Sequence, residues 1–374
     1  MMKRATLYLH IPYCKQACYY CDFHFSTVRS TENEVVERML GELTEAQSAW
    51  SEFEFSSLYF GGGTPGILAP ELLERFITKA STLYNLREDA EITLEVNPDD
   101  ITPKRLAEWH CIGINRLSVG LQSFDDGELA MMNRAHDARH SLHCLQWISE
   151  SPFENYTVDL MYGMPYSTGE SWKEQLDTLA SFRPPHLSCY ALTVEEKTIL
   201  HHHVKTGNVS LPTDDIIVKQ FEALDQWAND HGYAHYELSN FAQPGMHSRH
   251  NSHYWTGAPY LGIGPGAHSF DGTRRWWNIS NNALYAKGAN PTEELLSPQD
   301  ILHERLMVRL RTAVGFCWED DFPTDLGRAE RFVLEQEVAQ AVAHGELITK
   351  ETGFAIPTER WMESDRIIAQ LFLD

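Results

Sequence analysis

The sequence has 374 residues, a formal net charge of −23 and an apolar content of 43%, which is enough to build the cores of one large and one smaller domain. The acidic balance argues against nonspecific nucleic-acid binding and against charge-driven docking on anionic lipid, because both need a basic surface. No stretch reaches the ~20 apolar residues of a membrane helix, and the first apolar run is too short for a signal peptide, so we expect a cytoplasmic protein.

Apolar runs of strand length alternate with amphipathic stretches over the first half of the chain. The runs that predict strands are Leu7–Ile11, Ser57–Phe60, Ile92–Val96, Arg116–Val119, Val158–Met161 and His186–Tyr190. The stretches that predict helices are Glu32–Trp50, Glu71–Tyr84, Pro103–Trp109, Ser141–Ser149 and Glu170–Phe182. The alternation predicts a parallel sheet covered by helices. It fits two architectures, a doubly wound open sheet and a (β/α) barrel lacking two of its eight units.

The alternation stops near Val194, and the second half of the chain has a different character. A helix is expected over Asp214–Gly232, and the Gly-, aromatic- and His-rich segment from His235 to Asn278 is interpreted as a functional loop. The remaining predicted elements are helices at Ile301–Arg311 and Ala329–His344, short strands at Glu346–Ile348 and Phe354–Ile356, and a last helix ending at Phe372. This order predicts a winged-helix-like α+β end domain, and we expect three units, 1–235, 236–295 and 296–374.

Three cysteines stand in a C-x₃-C-x₂-C spacing just past the first predicted strand, at Cys14, Cys18 and Cys21. Three thiolates on one loop can hold three irons of a [4Fe–4S] cluster and leave the fourth iron open, whereas the usual complement is four cysteines. A structural zinc site is the alternative, because zinc takes four closed ligands and His24 lies three residues beyond Cys21. The spacing favours a cluster that binds a further, non-protein ligand.

A glycine run, Gly61-Gly62-Gly63-Thr64-Pro65, directly follows the second predicted strand. With the cysteine motif it makes the chain resemble the radical S-adenosylmethionine (SAM) superfamily. More narrowly, the chain resembles the oxygen-independent coproporphyrinogen oxidase family and its haem-chaperone (HemW-type) branch. The resemblance implies a partial (β/α)₆ barrel with its chemistry at the C-terminal strand ends. It also implies that SAM chelates the open iron and is cleaved to methionine and a 5′-deoxyadenosyl radical.

The resemblance also implies a set of SAM-binding residues. They are Tyr8, Tyr20, Gly62, Gly63, Thr64, Glu95, Gln122, Arg134, Asp159, Ala191 and Ile263. Tyr8 is expected to donate to the SAM carboxylate, the backbone of Tyr20 to contact the adenine, and carbonyls of the glycine run to accept from the SAM ammonium. Glu95 ends a strand, where a carboxylate can accept both ribose hydroxyls. Asp159 fits a direct SAM contact and a buried, hydrogen-bonded role equally well.

Two features place the chain at the haem-chaperone side of this family. Phe23 occupies the position of a fourth cysteine, which the oxidases carry in a C-x₃-C-x₂-C-x-C motif. The second feature is the segment His250-Asn251-Ser252-His253-Tyr254-Trp255, which matches the H-N-x-x-Y-W motif of the haem-chaperone branch.

The matched motif implies a haem site with a role for each of its members. His250 would ligate the iron, Asn251 would orient that imidazole, and Tyr254 and Trp255 would supply flat apolar surface. The alternatives are a structural loop in which His250 packs, or a different ligand chosen from His247, His253 and His268.

The sequence therefore predicts a haem chaperone that binds haem b and transfers it to acceptor haemoproteins, with a SAM-chelating [4Fe–4S] cluster. The main alternative is an oxygen-independent coproporphyrinogen III oxidase, which Phe23 argues against. A third hypothesis is a radical enzyme that opens or modifies haem. The acceptor protein, any covalent haem attachment and the oligomeric state, a homodimer included, are left open.

Overall fold

The computed structural model of this protein describes residues 2–373. Its first strands are β1 Lys3–Ile11, β2 Phe53–Gly62, β3 Asn85–Val96, β4 Arg116–Gln122, β5 Tyr156–Tyr162 and β6 His186–Ala191. Each strand pairs in parallel with the next, in chain order. A doubly wound sheet would reverse its strand order at a switch point, whereas a continuous order is that of a barrel. Of the two architectures open from the sequence, the structure therefore has the partial (β/α)₆ barrel, and the predicted strands are confirmed.

Helices connect these strands and cover the outer face of the sheet. They are α1 Glu32–Ala46, α2 Pro70–Leu83, α3 Pro103–Cys111, α4 Asp126–Met131, α5 Ala138–Ser149 and α6 Gly169–Ala180. In α2, Pro70 occupies the first turn, where its missing N–H is harmless, and the apolar face buries Leu73, Phe76 and Ile77. Burying each such side chain stabilises the fold by about 1.5–3 kcal/mol. The five predicted helices are confirmed, and α4 was missed because it is one short turn with little periodicity.

Alternate residues of each barrel strand face opposite ways, and this alternation creates the site. On β1, Leu7 and Leu9 are buried in the main hydrophobic core, whereas Tyr8 and His10 line a cavity on the inner face. Hydrogen bonds cross this inner face from strand to strand, from the Tyr59 hydroxyl to Glu95 and from the Ser118 hydroxyl to Asp159. The inner face is therefore polar, unlike the helix-covered outer face.

The expectation of a functional loop from His235 to Asn278 is wrong. The segment holds β7 Ala234–Glu237, β8 Asn240–Ala242, α9 Arg249–Tyr254, β9 Tyr260–Ile263, β10 His268–Phe270 and β11 Arg274–Trp277. β9 pairs in parallel with β1, and β8 pairs antiparallel with β6, so the segment extends the sheet at both edges. Strands of three or four residues that pair with distant partners leave no periodic signal, which is why the sequence did not reveal them.

The rest of the chain comprises short connecting elements and the end domain. The connecting elements are α7 Ile199–Lys205, α8 Asp214–Asp230, α10 Asn282–Ala286 and β12 Thr292–Leu295. The helices of the end domain are α11 Pro298–Arg309, α12 Arg328–Ala343 and α13 Ser364–Gln370, and its strands are β13 Phe316–Cys317, β14 Ile348–Thr349 and β15 Gly353–Ala355. Within residues 2–373 the strands form a sheet of twelve and a sheet of three, the latter in the order β13-β15-β14.

Helices around a small antiparallel sheet match the predicted winged-helix-like α+β end. The three predicted domain boundaries stay a prediction, although β9–β12 of the middle unit join the barrel sheet. Across residues 2–373, none of the helices is both long and apolar enough to cross a bilayer.

Candidate functional site

The cysteine loop lies above the C-terminal ends of the barrel strands, between β1 and α1. Hydrogen bonds tie it to the glycine run after β2, from Gly63 N to Ile11 O at 2.8 Å and from Thr64 N to Tyr13 O at 2.7 Å. A Cβ atom at Gly63 would lie 2.6 Å from Tyr13 O, so only glycine permits this approach. The glycine run thereby fixes where the three cysteines stand relative to the sheet.

A second anchor for the cysteine loop is the turn after α4, the helix that the sequence did not predict. The Asn133 side chain donates to Ala17 O at 2.8 Å, and the Gln16 side chain donates to Asn133 O at 2.8 Å. Tyr19 N donates to Met132 O at 3.0 Å. Asp125 caps the N-terminus of α4, where its side chain accepts from Glu128 N, and this Asp cap was the local signal for the helix.

Cys14, Cys18 and Cys21 face one cavity of about 450 Å³, which we call the cysteine cavity. The Thr64 hydroxyl donates to Cys14 Sγ at 3.5 Å, and Arg134 Nη1 donates to Cys18 Sγ at 3.3 Å. Burial raises the pKa of Cys14 to about 11 and that of Cys21 to about 12. These thiols would be deprotonated when they hold iron, because metal-coordinating thiols lose their protons.

The zinc alternative receives no support from His24, its proposed fourth ligand. His24 Nε2 donates to Asn282 Oδ1 at 2.7 Å, and the ring lines a neighbouring cavity instead of the cysteine cavity. Within residues 2–373, no three His, Cys, Asp or Glu side chains already stand close enough to hold a single metal ion.

Two part-buried carboxyl groups also line the cysteine cavity. Glu95 Oε1 accepts from the Tyr59 hydroxyl at 2.8 Å, and its Oε2 accepts from Gly62 N at 3.2 Å. Asp159 Oδ2 accepts from the Ser118 hydroxyl at 3.3 Å. Burial raises the pKa of both carboxyls to about 7. Among the described residues Asp159 Oδ1 has no hydrogen-bond partner, so the wall presents an open acceptor.

Arg134 is the cation that faces these carboxyls. Its Nη2 donates to Asn97 Oδ1 at 2.7 Å and to Gly120 O at 2.6 Å, which holds the guanidinium beside Cys18. Its Nε has no partner within residues 2–373. Gln122 also lines the cavity from the end of β4, where its φ of 70° breaks the strand.

Most of the predicted SAM-contact residues line the cysteine cavity. They are Tyr20, Gly62, Gly63, Thr64, Glu95, Gln122, Arg134, Asp159 and Ala191. Tyr8 lies in the neighbouring cavity, and the Ile263 side chain is fully buried in the main hydrophobic core, where it is paired with Leu9. Sequence reasoning missed Asn97, whose side-chain N–H donates to Thr64 Oγ1 at 3.0 Å and whose Oδ1 holds Arg134. Its position at the end of β3, before a proline, was the available signal.

A second cavity of about 520 Å³ adjoins the first. The two cavities share the side chains of Asp22, Phe23 and Glu95 and the backbone at Gly62. The other residues of the second cavity are Tyr8, His10, His24, Tyr254, Tyr260, Gly266, Ala267, His268 and Ser280. Phe23 is 69% exposed and stands at the boundary between the cavities.

The structure does not present His250 as an open haem ligand. The residue is 1% exposed on the inner face of the barrel, with Nδ1 2.8 Å from the Ser57 hydroxyl and Nε2 3.2 Å from the Tyr254 hydroxyl. Its backbone N–H donates to Glu91 Oε1 at 3.0 Å, and burial holds its pKa well below the usual range. Both ring nitrogens are engaged, and these hydrogen bonds connect α9 and the Tyr254 side chain to Ser57 on β2.

The other members of the predicted haem motif fall in different places. Tyr254 lines the second cavity, whereas Asn251 and Trp255 are part-buried and are absent from the described linings of both cavities. Ser57 and Tyr254 orient the His250 ring, instead of the predicted Asn251. The resemblance to the family motif implied one site for all four side chains, and a motif carries no information on which way each side chain points.

A parallel α/β barrel with three cysteines above its strand ends, facing buried carboxyls and an arginine, is the arrangement of a radical SAM protein. The Radical SAM superfamily model matches residues 8–179. The Escherichia coli coproporphyrinogen III oxidase (HemN), a radical SAM enzyme, has the same fold, with a TM-score of 0.83 at 22% identity over 99% of this chain and 90% of that one.

Curated relatives narrow the family further. The heme chaperone HemW of Synechocystis is 32% identical over 83% of this chain and 79% of its own length. HemW of Mycobacterium tuberculosis is 33% identical over 91% of this chain and 89% of its own. The mouse mitochondrial radical S-adenosyl methionine domain-containing protein 1 is 33% identical over 98% of this chain and 87% of its own length. The chain therefore belongs to the HemW family within the radical SAM superfamily.

Radical SAM proteins carry a [4Fe–4S] cluster and SAM, and the cysteine cavity fits both groups. Three thiols face it, which matches a cluster with one iron left for SAM. The unpaired Asp159 Oδ1 and Arg134 Nε offer an acceptor and a donor for a polar ligand with charges of both signs.

Proposed function

We propose that this protein is a haem chaperone that binds haem b and transfers it to acceptor haemoproteins. The observation that carries the proposal is Phe23, an exposed aromatic ring between two adjoining cavities at the position of the oxidases' fourth cysteine. A flat apolar ring at this boundary suits contact with a porphyrin. The heme-chaperone names of the relatives support the same function.

In this proposal Cys14, Cys18 and Cys21 hold the cluster and SAM completes it. Arg134 donates to Cys18 Sγ at 3.3 Å and thereby helps to fix the position of that sulfur. When bound, the cluster supplies the electron that cleaves SAM. Glu95 accepts the ribose hydroxyls, Asp159 and Arg134 meet the charged part of SAM, and the backbone around Gly62 supplies acceptors to its ammonium.

The SAM affinity of the reconstituted protein is expected to rise between about pH 6 and about pH 8. Burial raises the pKa of Glu95 to about 7, and the ionised carboxylate is the better acceptor for both ribose hydroxyls, so lowering the pH weakens binding. Glu95→Gln should weaken binding ~10-fold at the upper end of this range and flatten the slope. Part of the slope should persist because burial also raises the pKa of Asp159 to about 7. Anaerobic calorimetric titration with SAM measures both quantities.

The matched control for this prediction is Glu128→Gln. Glu128 is a buried carboxyl that accepts from Ser123 at 2.6 Å and from Gln175 at 3.0 Å, outside both cavities. This variant should retain the slope of the unsubstituted protein. Identical pH profiles for the two variants would contradict the assignment of Glu95 to the SAM site.

A second candidate function is oxygen-independent coproporphyrinogen III oxidation, in which a 5′-deoxyadenosyl radical initiates decarboxylation of propionates. The observation that favours it is the full set of polar groups around the cysteine cavity, because a simple carrier needs no such set. Formation of protoporphyrinogen from coproporphyrinogen III under anaerobic, reducing conditions with SAM would establish this activity instead.

The test of the proposed function is haem uptake and release by one preparation. The protein is reconstituted anaerobically with iron and sulfide, titrated with haem at the Soret band, and then mixed with an apo-haemoprotein. One haem bound per chain and its appearance in the acceptor are expected. Absence of haem uptake with SAM still cleaved would reject the chaperone function.

Seven free cysteines fit a reducing compartment, so we propose a cytoplasmic location, with the haem-acceptor protein and a homodimeric state left to experiment.

A further inference from the structure

The second cavity has the size and lining of a site for a large flat ligand. Its volume of about 520 Å³ lies within the ~300–1,000 Å³ of small-molecule sites, which are typically aromatic with a few placed polar groups. The rings of Tyr8, Tyr254 and Tyr260 supply apolar surface, and Tyr254 packs edge-on against Tyr260 with ring centroids 4.9 Å apart. Imidazoles are the strongest metal-binding groups in this lining, and they differ in availability.

Two of the three imidazoles in the second cavity already make hydrogen bonds, His10 through both ring nitrogens and His24 through one. His10 Nε2 donates to His24 O at 2.9 Å, so its Nδ1 accepts from the Tyr8 hydroxyl at 3.2 Å. His24 Nε2 donates to Asn282 Oδ1 at 2.7 Å. Binding iron through either nitrogen of His10, or through Nε2 of His24, would break one of these hydrogen bonds.

Among the described residues of this cavity, His268 is the imidazole with both ring nitrogens open. Neither of its ring nitrogens has a hydrogen-bond partner within residues 2–373, and the side chain is exposed at the edge of the cavity. Its ring stacks on Trp277 at 5.6 Å between centroids and 17° between planes, across the antiparallel pair that β10 forms with β11. The stacking orients the ring without using a nitrogen.

We propose that haem binds in the second cavity with the His268 imidazole as the axial ligand of its iron. The inference rests on the proposed haem-chaperone function and replaces His250 as the ligand. Neutral imidazole is a standard protein ligand of haem iron. In this position the porphyrin lies against Tyr254 and Tyr260, and the shared Phe23 ring separates it from the cysteine cavity.

The experiment is a haem titration of the cluster-loaded protein and of His268→Gly, followed at the Soret band. The variant should bind haem at least ~10-fold more weakly, equivalent to about 1.4 kcal/mol, with a shifted Soret maximum because the axial nitrogen is lost. Added imidazole should restore the original spectrum in His268→Gly, since the glycine leaves room for a free ligand. His268→Met should give a different Soret maximum, because a thioether replaces the imidazole.

The matched control is His202→Ala, which removes an exposed imidazole on α7, outside both cavities. It should bind haem as the unsubstituted protein does. Retained cluster absorbance in His268→Gly shows that the variant is folded. Haem uptake by the unsubstituted protein with an unchanged Soret band in both His268 variants would overturn the assignment of His268 while leaving the chaperone function standing. Absence of haem uptake by the unsubstituted protein would reject both.

Discussion

Cys18→Ala is expected to abolish both the visible absorbance of the reconstituted cluster and the cleavage of SAM. A cluster iron loses its only protein thiolate, and Arg134 loses the sulfur to which it donates at 3.3 Å. Haem binding should persist with at most a few-fold change, because the walls of the second cavity come from β1, α9 and the β9–β10 region as well as from the cysteine loop. Absorbance spectra, SAM cleavage assays and haem titration of the same sample measure the three properties.

The matched control is Cys111→Ala, which removes an exposed thiol at the end of α3. It should leave the cluster, SAM cleavage and haem binding unchanged. Cluster absorbance that survives in Cys18→Ala would contradict the assignment of the three-cysteine motif. Haem binding that disappears together with the cluster would mean that the two cavities fold and bind as one unit.

His250→Ala is expected to lower the free energy of unfolding by about 3 kcal/mol. The substitution removes two buried side-chain hydrogen bonds, to Ser57 and to Tyr254, and the stacking of the imidazole on Tyr59 at 4.6 Å. It also leaves a void on the inner face of the barrel. Haem affinity per folded molecule should change little, because His250 is not the iron ligand in our proposal. Urea unfolding and haem titration separate the two effects.

Ser57→Ala tests the same contact. It should lower the free energy of unfolding by a smaller amount, about 1–2 kcal/mol, because only the Nδ1 partner of His250 is removed. The surface variant His202→Ala should unfold like the unsubstituted protein. Loss of the Soret band in His250→Ala with no change in the urea midpoint would return the ligand role to His250.

The cysteine motif forms a binding site only through contacts with residues that are distant in the sequence. The spacing of Cys14, Cys18 and Cys21 was sufficient to indicate a cluster, because thiolates are close in sequence and chemically distinctive. The turn at Asn133, which is hydrogen-bonded to this loop, lies more than 100 residues away in the sequence and follows a helix of six residues. A periodicity pattern does not reveal this helix, because six residues are too few to show a helical period.

The haem motif illustrates a different case, in which a recognisable pattern does not state what each side chain contacts. His250, Asn251 and Tyr254 lie in α9, whereas Trp255 follows the last residue of that helix. In the structure His250 faces Ser57 on the inner face of the barrel, whereas Tyr254 reaches the second cavity. The open imidazole, His268, lies on a different element, β10, and its availability depends on hydrogen bonds that the sequence does not state.

The sequence by itself determined the strand-and-helix alternation, the three-cysteine motif, the glycine run and the absence of a fourth motif cysteine at Phe23. These features are short-range, and each follows from spacing and residue chemistry within a few tens of residues. Only the tertiary structure decided that the sheet is a barrel, that residues after Tyr233 extend it at both edges, and that two cavities share one wall. The physical reason is that strand order, burial and the hydrogen-bond partner of each imidazole are set by pairing between distant segments.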